Sequence, residues 1–245
     1  MKKLSRVALI LLIAMVFTAC SASSKKYVIV SDTTYPPFEW TDEKGNFVGI
    51  DVDIMKAIAE DQGFDVEIKG VGFTAALGEV ESGQADGVIA GMTITDERKL
   101  KYDFSEPYYE VSVTMAVTKD SSITDYEGLR GKNVALKTST NGATFAESIK
   151  DKYGFTVSYF TDSPTMYQDV VSGNSVACFE DRPVMEYSVA NGVNLKVTSA
   201  NEIPSNYGFG VLKGENADLL KKFNAGLANI KANGKYQEIV DKYTK

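Results

Sequence analysis

One stretch of this chain is written twice, and the repetition limits the fold more than any other feature. Glu79-Val80-Glu81-Ser82-Gly83-Gln84-Ala85-Asp86-Gly87-Val88-Ile89-Ala90 recurs in kind as Asp169-Val170-Val171-Ser172-Gly173-Asn174-Ser175-Val176-Ala177-Cys178-Phe179-Glu180. Each copy reads as the end of a helix, a Ser-Gly turn and then a buried strand. A fainter pairing keeps the same order: a strand over residues 27–30 ending at Asp32, against a strand over 133–136 ending at Lys137. Helices alternating with short apolar strands are the α/β signature, so two similar α/β halves are predicted, each with a parallel sheet.

The remaining elements follow from local chemistry. The Pro36-Pro37 pair breaks regular structure after the first strand. Residues 38–40 and 47–50 flank Asp42-Glu43-Lys44-Gly45-Asn46 and predict a hairpin. Asp51 is placed to cap a helix whose apolar face is Val52, Met55, Ile58 and Ala59, with Gly63 as its stop. Residues 64–69 alternate as a strand. From Asn216 a helix carries Leu219, Leu220, Phe223, Leu227 and Ile230 at core spacing, with Gly234 dividing it from a last helix.

The N-terminus reads as a targeting segment. Lys2, Lys3 and Arg6 precede an unbroken apolar run over residues 7–17. A run of about 11 residues is too short to cross a hydrocarbon core of ~30 Å as a helix, and the small residues Thr18 and Ala19 follow it, as in a secretory signal. Residues 1–19 are therefore expected to be removed on export. Phe17-Thr18-Ala19-Cys20 resembles the lipobox of bacterial lipoproteins, which implies lipid attachment at Cys20 and anchorage to the outside of the membrane. Residues 20–26, largely small and polar, then serve as a tether. The other cysteine, Cys178, lies in an apolar run and reads as a small buried hydrophobe.

Without the leader's three basic residues the net charge goes from −7 to −10 (−7 − 3). An acidic balance of that size argues against nucleic acid as a partner. The chain has no histidine, which removes the commonest general base and metal ligand, and neither cofactor nor metal is expected.

In open α/β sheets, ligands bind outside the carboxyl ends of the strands. The duplicated stretch puts two such ends at the same offset from their Ser-Gly turns. After the first comes Gly91-Met92-Thr93-Ile94-Thr95-Asp96-Glu97-Arg98; after the second, Asp181. One half thus offers backbone N–H groups, a hydroxyl and a guanidinium, which matches a carboxylate with two parallel hydrogen bonds. The other offers a carboxylate suited to an ammonium group. A cleft carrying one of each is complementary to a zwitterion.

The same run, followed by Asp103-Phe104-Ser105-Glu106-Pro107-Tyr108-Tyr109, resembles the signature of the polar amino-acid-binding proteins of ABC importers, the family 3 extracellular solute-binding proteins. Residues 32–38, 49–59, 133–141, Asp181-Arg182-Pro183 and the segment from Tyr207 onward extend the resemblance. It implies a periplasmic-binding-protein-like clamshell of two α/β lobes, each a mainly parallel sheet flanked by helices. Lobe one would take residues 25–108 plus 206–245 and lobe two 112–203, with two hinge crossings near 111–114 and 203–206. It also implies roles. Arg98 and Thr93, with the backbone of Gly91, would hold the ligand carboxylate, and Asp181 its amino group. Tyr35 and Phe73 would enclose the side chain, whose polar end would face Asp32 and Lys137. Where the family often has Gly-Thr after the position of Thr138, this chain reads Ser139-Thr140-Asn141-Gly142; Ser139 and Asn141 are expected to narrow the pocket or add polar contacts, and Thr140 and Asn141 are counted among the binding residues.

Lys137 disfavours a cationic ligand, because a second buried ammonium would go unpaired. An acceptor and a donor side by side suit an amide, and glutamine is the first choice, with another polar amino acid as the alternative. Glu180 is a departure from what a glutamine binder would carry. A monomeric binding protein without chemistry is expected, delivering its ligand to an ABC permease by closing on it. The alternatives on this scaffold are a ligand-sensing module and a dehydratase. The latter needs a general acid or base in the cleft, for which Glu180, Asp32 and Lys137 are the candidates.

Overall fold

The computed structural model describes residues 25–198 and 202–245. The leader and Cys20 lie outside the described residues. Lys26, the expected end of the tether, is the first residue of β1 (Lys26–Ser31). The short strands β2 (Thr34–Tyr35), β3 (Glu39–Thr41) and β4 (Phe47–Val48) follow, then α1 (Ile50–Gln62), β5 (Asp65–Gly70), α2 (Phe73–Glu81), β6 (Gly87–Val88) and β7 (Tyr102–Phe104). The long β8 (Tyr109–Thr118) leads to β9 (Asn133–Lys137), α3 (Asn141–Tyr153), β10 (Thr156–Phe160), α4 (Ser163–Val171), β11 (Ala177–Asp181), α5 (Arg182–Ala190) and β12 (Leu195–Val197). After β13 (Glu202–Tyr207) and β14 (Gly210–Leu212) come α6 (Ala217–Ala232) and α7 (Lys235–Thr244).

These strands form two main sheets. The first runs β5-β1-β6-β14-β7 and the second β10-β9-β11-β8-β12, with β13 also paired to β8. Each has a parallel core of three strands, β5-β1-β6 and β10-β9-β11. The parallel pairing stops there: β14, β7, β8, β12 and β13 all pair antiparallel, so both sheets are mixed. The reason is topological. The parallel strands are joined by helical crossovers, whereas the strands that carry the chain between the sheets, or close a sheet after the return, meet their neighbours head to tail. β8 and β13 run side by side between the sheets, with Tyr109 opposite Tyr207.

The duplication is visible at atomic level. α2 and α4 both end on serine, Ser82 and Ser172, followed by glycines with φ of 73° and 81°. Ser82 N–H reaches Gly78 O and Ser172 N–H reaches Gln168 O, at 3.0 and 2.9 Å. A positive φ needs glycine at low cost, which is why the Ser-Gly pair marks both places. β1 and β9 are likewise equivalent: each is the middle strand of its parallel trio.

Helices cover both faces of each sheet. Ile54, Met55 and Ile58 of α1 pack with Leu219, Phe223 and Leu227 of α6 and with Ile239 of α7 on one side of the first sheet, and α2 supplies Ala76 and Val80 on the other. In the second sheet α3 contributes Ala143 and Ala146 to one face, while Met166 of α4 and Met185 of α5 fill the other. Cys178 is buried in that second core. Among the described residues no helix is long and apolar enough to cross a membrane.

The expected cap of α1 is corrected by the structure. Gly49 occupies the N-cap position, and Asp51, one residue inside the helix, makes no cap bond. The helix starts two residues earlier because its first N–H groups are taken by carbonyls of the preceding turn: Ile50 N–H by Pro37 O and Asp51 N–H by Phe38 O. Gly49 has φ 136°, and a Cβ there would stand 2.0 Å from Phe38 O. Gly49→Ala should therefore destabilise the protein by about 3 kcal/mol through overpacking, measured as a lower urea midpoint at unchanged slope.

Candidate functional site

Between the two sheets lies a nearly closed cavity with about 10 Å³ of free space. The residues named from sequence as Asp32, Tyr35, Phe73, Gly91, Thr93, Arg98, Lys137, Thr140, Asn141 and Asp181 all line it, together with Ala90. One wall comes from the loops after β1 and β6 and the first turn of α2. The other comes from the last residues of β9 and β11 and the start of α3. Carboxyl ends of parallel strands from both sheets are thus turned toward one gap.

At the far end, Lys137 Nζ lies 2.5 Å from Asp32 Oδ2, and the two side chains are only 2% and 3% exposed. A buried ion pair recovers its desolvation cost only where further contacts complete it. Here the Thr33 N–H donates to Asp32 Oδ1 at 2.6 Å, and the ammonium stands 4.5 Å from the centre of the Tyr35 ring. The pair joins the equivalent strand ends of the two halves.

Asp181 stands at the N-cap position of α5 but makes no cap bond. Its Oδ2 instead accepts the hydroxyls of Tyr35, at 2.9 Å, and Tyr207, at 2.6 Å. Burial first, and then the neighbouring Glu180, push its pKa up to about 6, against the pull of the two hydroxyls and of Arg98. Glu180 does not line the cavity. Its Oε1 accepts Tyr35 O–H and Asp181 N–H, both at 3.0 Å, and its Oε2 accepts Ser163 at 2.8 Å and Tyr167 at 3.0 Å. Ser163, Tyr167 and the Asp181 N–H tie Glu180 into the second half, and the one proton of the Tyr35 hydroxyl is shared between Glu180 and Asp181.

Arg98 begins a 3-10 turn, Arg98–Leu100, whose entry is set by Thr95 Oγ1 accepting the Arg98 N–H. Its guanidinium donates to Thr93 O and, across the gap, to Ser139 O, each at 2.8 Å, and it packs over the Phe73 ring. Burial draws its pKa down from the ordinary arginine value. Gly91 has φ 51°, and a Cβ there would lie 2.7 Å from the Tyr35 ring, so a larger residue would displace that ring. Thr93 is buried and bridges to Tyr207. The Thr140 hydroxyl is spent on structure, donating to Lys137 O at 2.8 Å and accepting Ala143 N–H at 3.2 Å as the cap of α3.

Tyr207 belongs to this constellation without having been read as a site residue, and Ser139, expected to narrow the pocket or add polar contacts, joins it through its backbone. An aromatic opening the C-terminal segment looks like core. Nothing in Asn206-Tyr207-Gly208 shows that β13 will lay its hydroxyl against Asp181. The contribution of Ser139 is its carbonyl, presented by a left-handed backbone with φ 64°, and side-chain reasoning has no hold on a carbonyl.

The model of the bacterial extracellular solute-binding proteins, family 3, matches residues 27–245, and the chain belongs to that family. An arginine-binding periplasmic protein of Mannheimia haemolytica is 32% identical over 95% of this chain and 97% of its own. The glutamine-binding protein GlnH of an ABC transporter in Bacillus subtilis is 32% identical over 82% of this chain and 74% of its own. Among solved structures, substrate-binding domain 2 of Lactococcus lactis GlnP, in an open conformation, is 40% identical with a TM-score of 0.62, covering 91% of this chain and 96% of that one. An ancestral arginine-binding protein bound to arginine is 34% identical with a TM-score of 0.84, covering 90% and 98%.

Replacing Lys137 by Met would leave Asp32 buried without its partner. Loss of one member of a buried pair costs about 3–5 kcal/mol, so Lys137→Met should lower the urea midpoint of the ligand-free protein.

Proposed function

We propose that the cavity holds an α-amino acid, glutamine first, and that the protein presents it to an ABC importer without altering it. One observation carries this reading: the four charged groups lining the cavity, Arg98, Lys137, Asp32 and Asp181, sum to zero, with Asp32 and Lys137 already joined. A zwitterion with a neutral polar side chain leaves that balance intact, whereas a cationic or anionic side chain adds a charge beside a neutralised pair. The carboxylate goes to Arg98 and to the hydroxyl and backbone of Thr93, the Gly91 N–H being already given to Asp51, the ammonium to Asp181, the aliphatic stem between Tyr35 and Phe73, and the amide to Asp32 and Lys137, with Thr140 and Asn141 completing the wall. That GlnH is named for glutamine supports the choice; the arginine-binding relatives are the reason to test it against arginine.

The moving bodies are residues 25–108 plus 206–245 and residues 112–203, turning about the paired strands β8 and β13. A ligand that touches both bodies only when they are together shifts the population toward closure, and closure is what the permease reads. Export by the leader and lipid attachment at Cys20 keep a monomer of this kind beside its permease.

Calorimetric titration of the leaderless protein with glutamine, arginine, histidine, glutamate and cystine is the test. Glutamine is expected to bind most tightly and to be recovered unchanged; preference for arginine overturns the assignment of the Asp32–Lys137 end, and a released product overturns the binding role. Arg98→Ala should weaken glutamine binding by roughly 100-fold or more, since a buried charge partner is lost. Affinity should also fall as pH drops through about 6, where Asp181 takes up a proton and ceases to attract the ammonium group.

A further inference from the structure

Two carboxyl groups lie outside the cavity, sealed from solvent. Glu39 of β3 and Asp51 of α1 are both 0% exposed. Asp51 Oδ2 accepts the Gly91 N–H and the Tyr108 hydroxyl, each at 2.7 Å. Its Oδ1 and both oxygens of Glu39 meet no donor among the described residues, although the two carboxyl groups stand within hydrogen-bonding reach of each other.

Two ionised carboxylates cannot bond to one another, since both only accept. Buried without partners, their oxygens would bear the full cost of lost hydration. A proton retained on one group turns the repulsive pair into an O–H donor and an acceptor, as in carboxylate dyads that share a proton. The donor is Glu39. Asp51 is the better anion because two donors already point at its Oδ2, whereas no donor points at Glu39.

We propose that Glu39 stays protonated in the folded protein and donates to Asp51 Oδ1, and that this shared proton holds Asp51 against Gly91 N–H, making the pair the positioning element of the turn that carries Thr93 and Arg98. Few charges face it. Asp32, in the loop after β1, opposes ionisation of Glu39, while Lys137 of β9 favours it but is itself paired to Asp32. On the other side stand Tyr108 and, behind it, Tyr236 of α7, whose hydroxyl is bonded to Tyr108 O. Burial is the main cause acting on both acids; it moves Asp51 to about 7 and Glu39 well above the ordinary carboxylate range.

The sign of the pH effect follows. Both groups bind protons more tightly folded than unfolded, so their contribution to stability is complete below about pH 4 and is lost as pH rises from there, by about 7 for Asp51 and at higher pH for Glu39. Glu39→Gln supplies a permanent donor of nearly the same shape and should remove the part of this loss that comes from ionising Glu39. Asp181 titrates alike in both proteins and cancels from the comparison.

The test uses ligand-free protein, so it stands whether or not glutamine is the ligand. Infrared difference spectra at about pH 8, one unit above the value for Asp51, should show a protonated-carboxyl C=O band in the wild type and none in Glu39→Gln. The Gly91 amide resonance should shift as the pair ionises with rising pH in the wild type and stay flatter in the variant. The melting temperature should fall less steeply above neutrality in the variant. Absence of the carboxyl band, or equal pH slopes in the two proteins, overturns the proposal. Should Glu39→Gln fail to fold, the wild-type band and the Gly91 titration decide alone.

Discussion

The contact between Asp32 and Lys137 is where the architecture of this protein becomes chemistry. Each residue ends the middle strand of a parallel trio, and the strands belong to different sheets. A charge at such a strand end is tolerable in water, but in a closed gap it needs an opposite charge at contact distance. That pairing fixes how the sheets face one another. It also decides which other strand ends meet: Gly91 and Thr93 after β6, against Asp181 at the end of β11. The remaining polar groups are arranged around this constraint, and the Tyr35 ring under the ammonium is held in turn by two acids of the opposite half.

Three acids in the same region show how environment divides labour among chemically similar groups. Glu180 is surrounded by four donors, and its charge is absorbed by structure. Asp181 has two hydroxyls and a wall on the cavity, and burial leaves it poised to gain or lose a proton in mildly acidic conditions. Glu39 meets no donor among the described residues. Between Asp181 and Glu39 the difference follows the number of hydrogen bonds offered to each anion, which is the quantity that offsets lost hydration.

Much of this was legible in the sequence, for identifiable reasons. The Ser-Gly turns announced the duplication because a positive φ is a local demand that glycine alone meets cheaply. Arg98 and Asp181 could be placed because their offsets from those turns are fixed by the length of one strand. Side chains used across the fold were harder to see. Asp51 read as a helix cap since the pattern Gly49-Ile50-Asp51 is local, while its true partners, Gly91 and Tyr108, are remote in sequence. Tyr207 and the carbonyl of Ser139 gave no signal for the same reason. The antiparallel strands were missed because periodicity reports that a strand is buried, not which way its neighbour runs.

The route of the chain through the first sheet also bears on when this protein can fold. β14, the strand seated between β6 and β7, comes from residues 210–212, and α6 and α7, which cover one face, come later still. The second sheet is nearly complete once β12 has been made at residue 197. During synthesis one half can therefore assemble early, while the other has its edges open until almost the last residue is available. Contacts of such wide sequence separation form slowly. The first strand of the chain therefore cannot complete its own sheet until residues 210–212 have arrived.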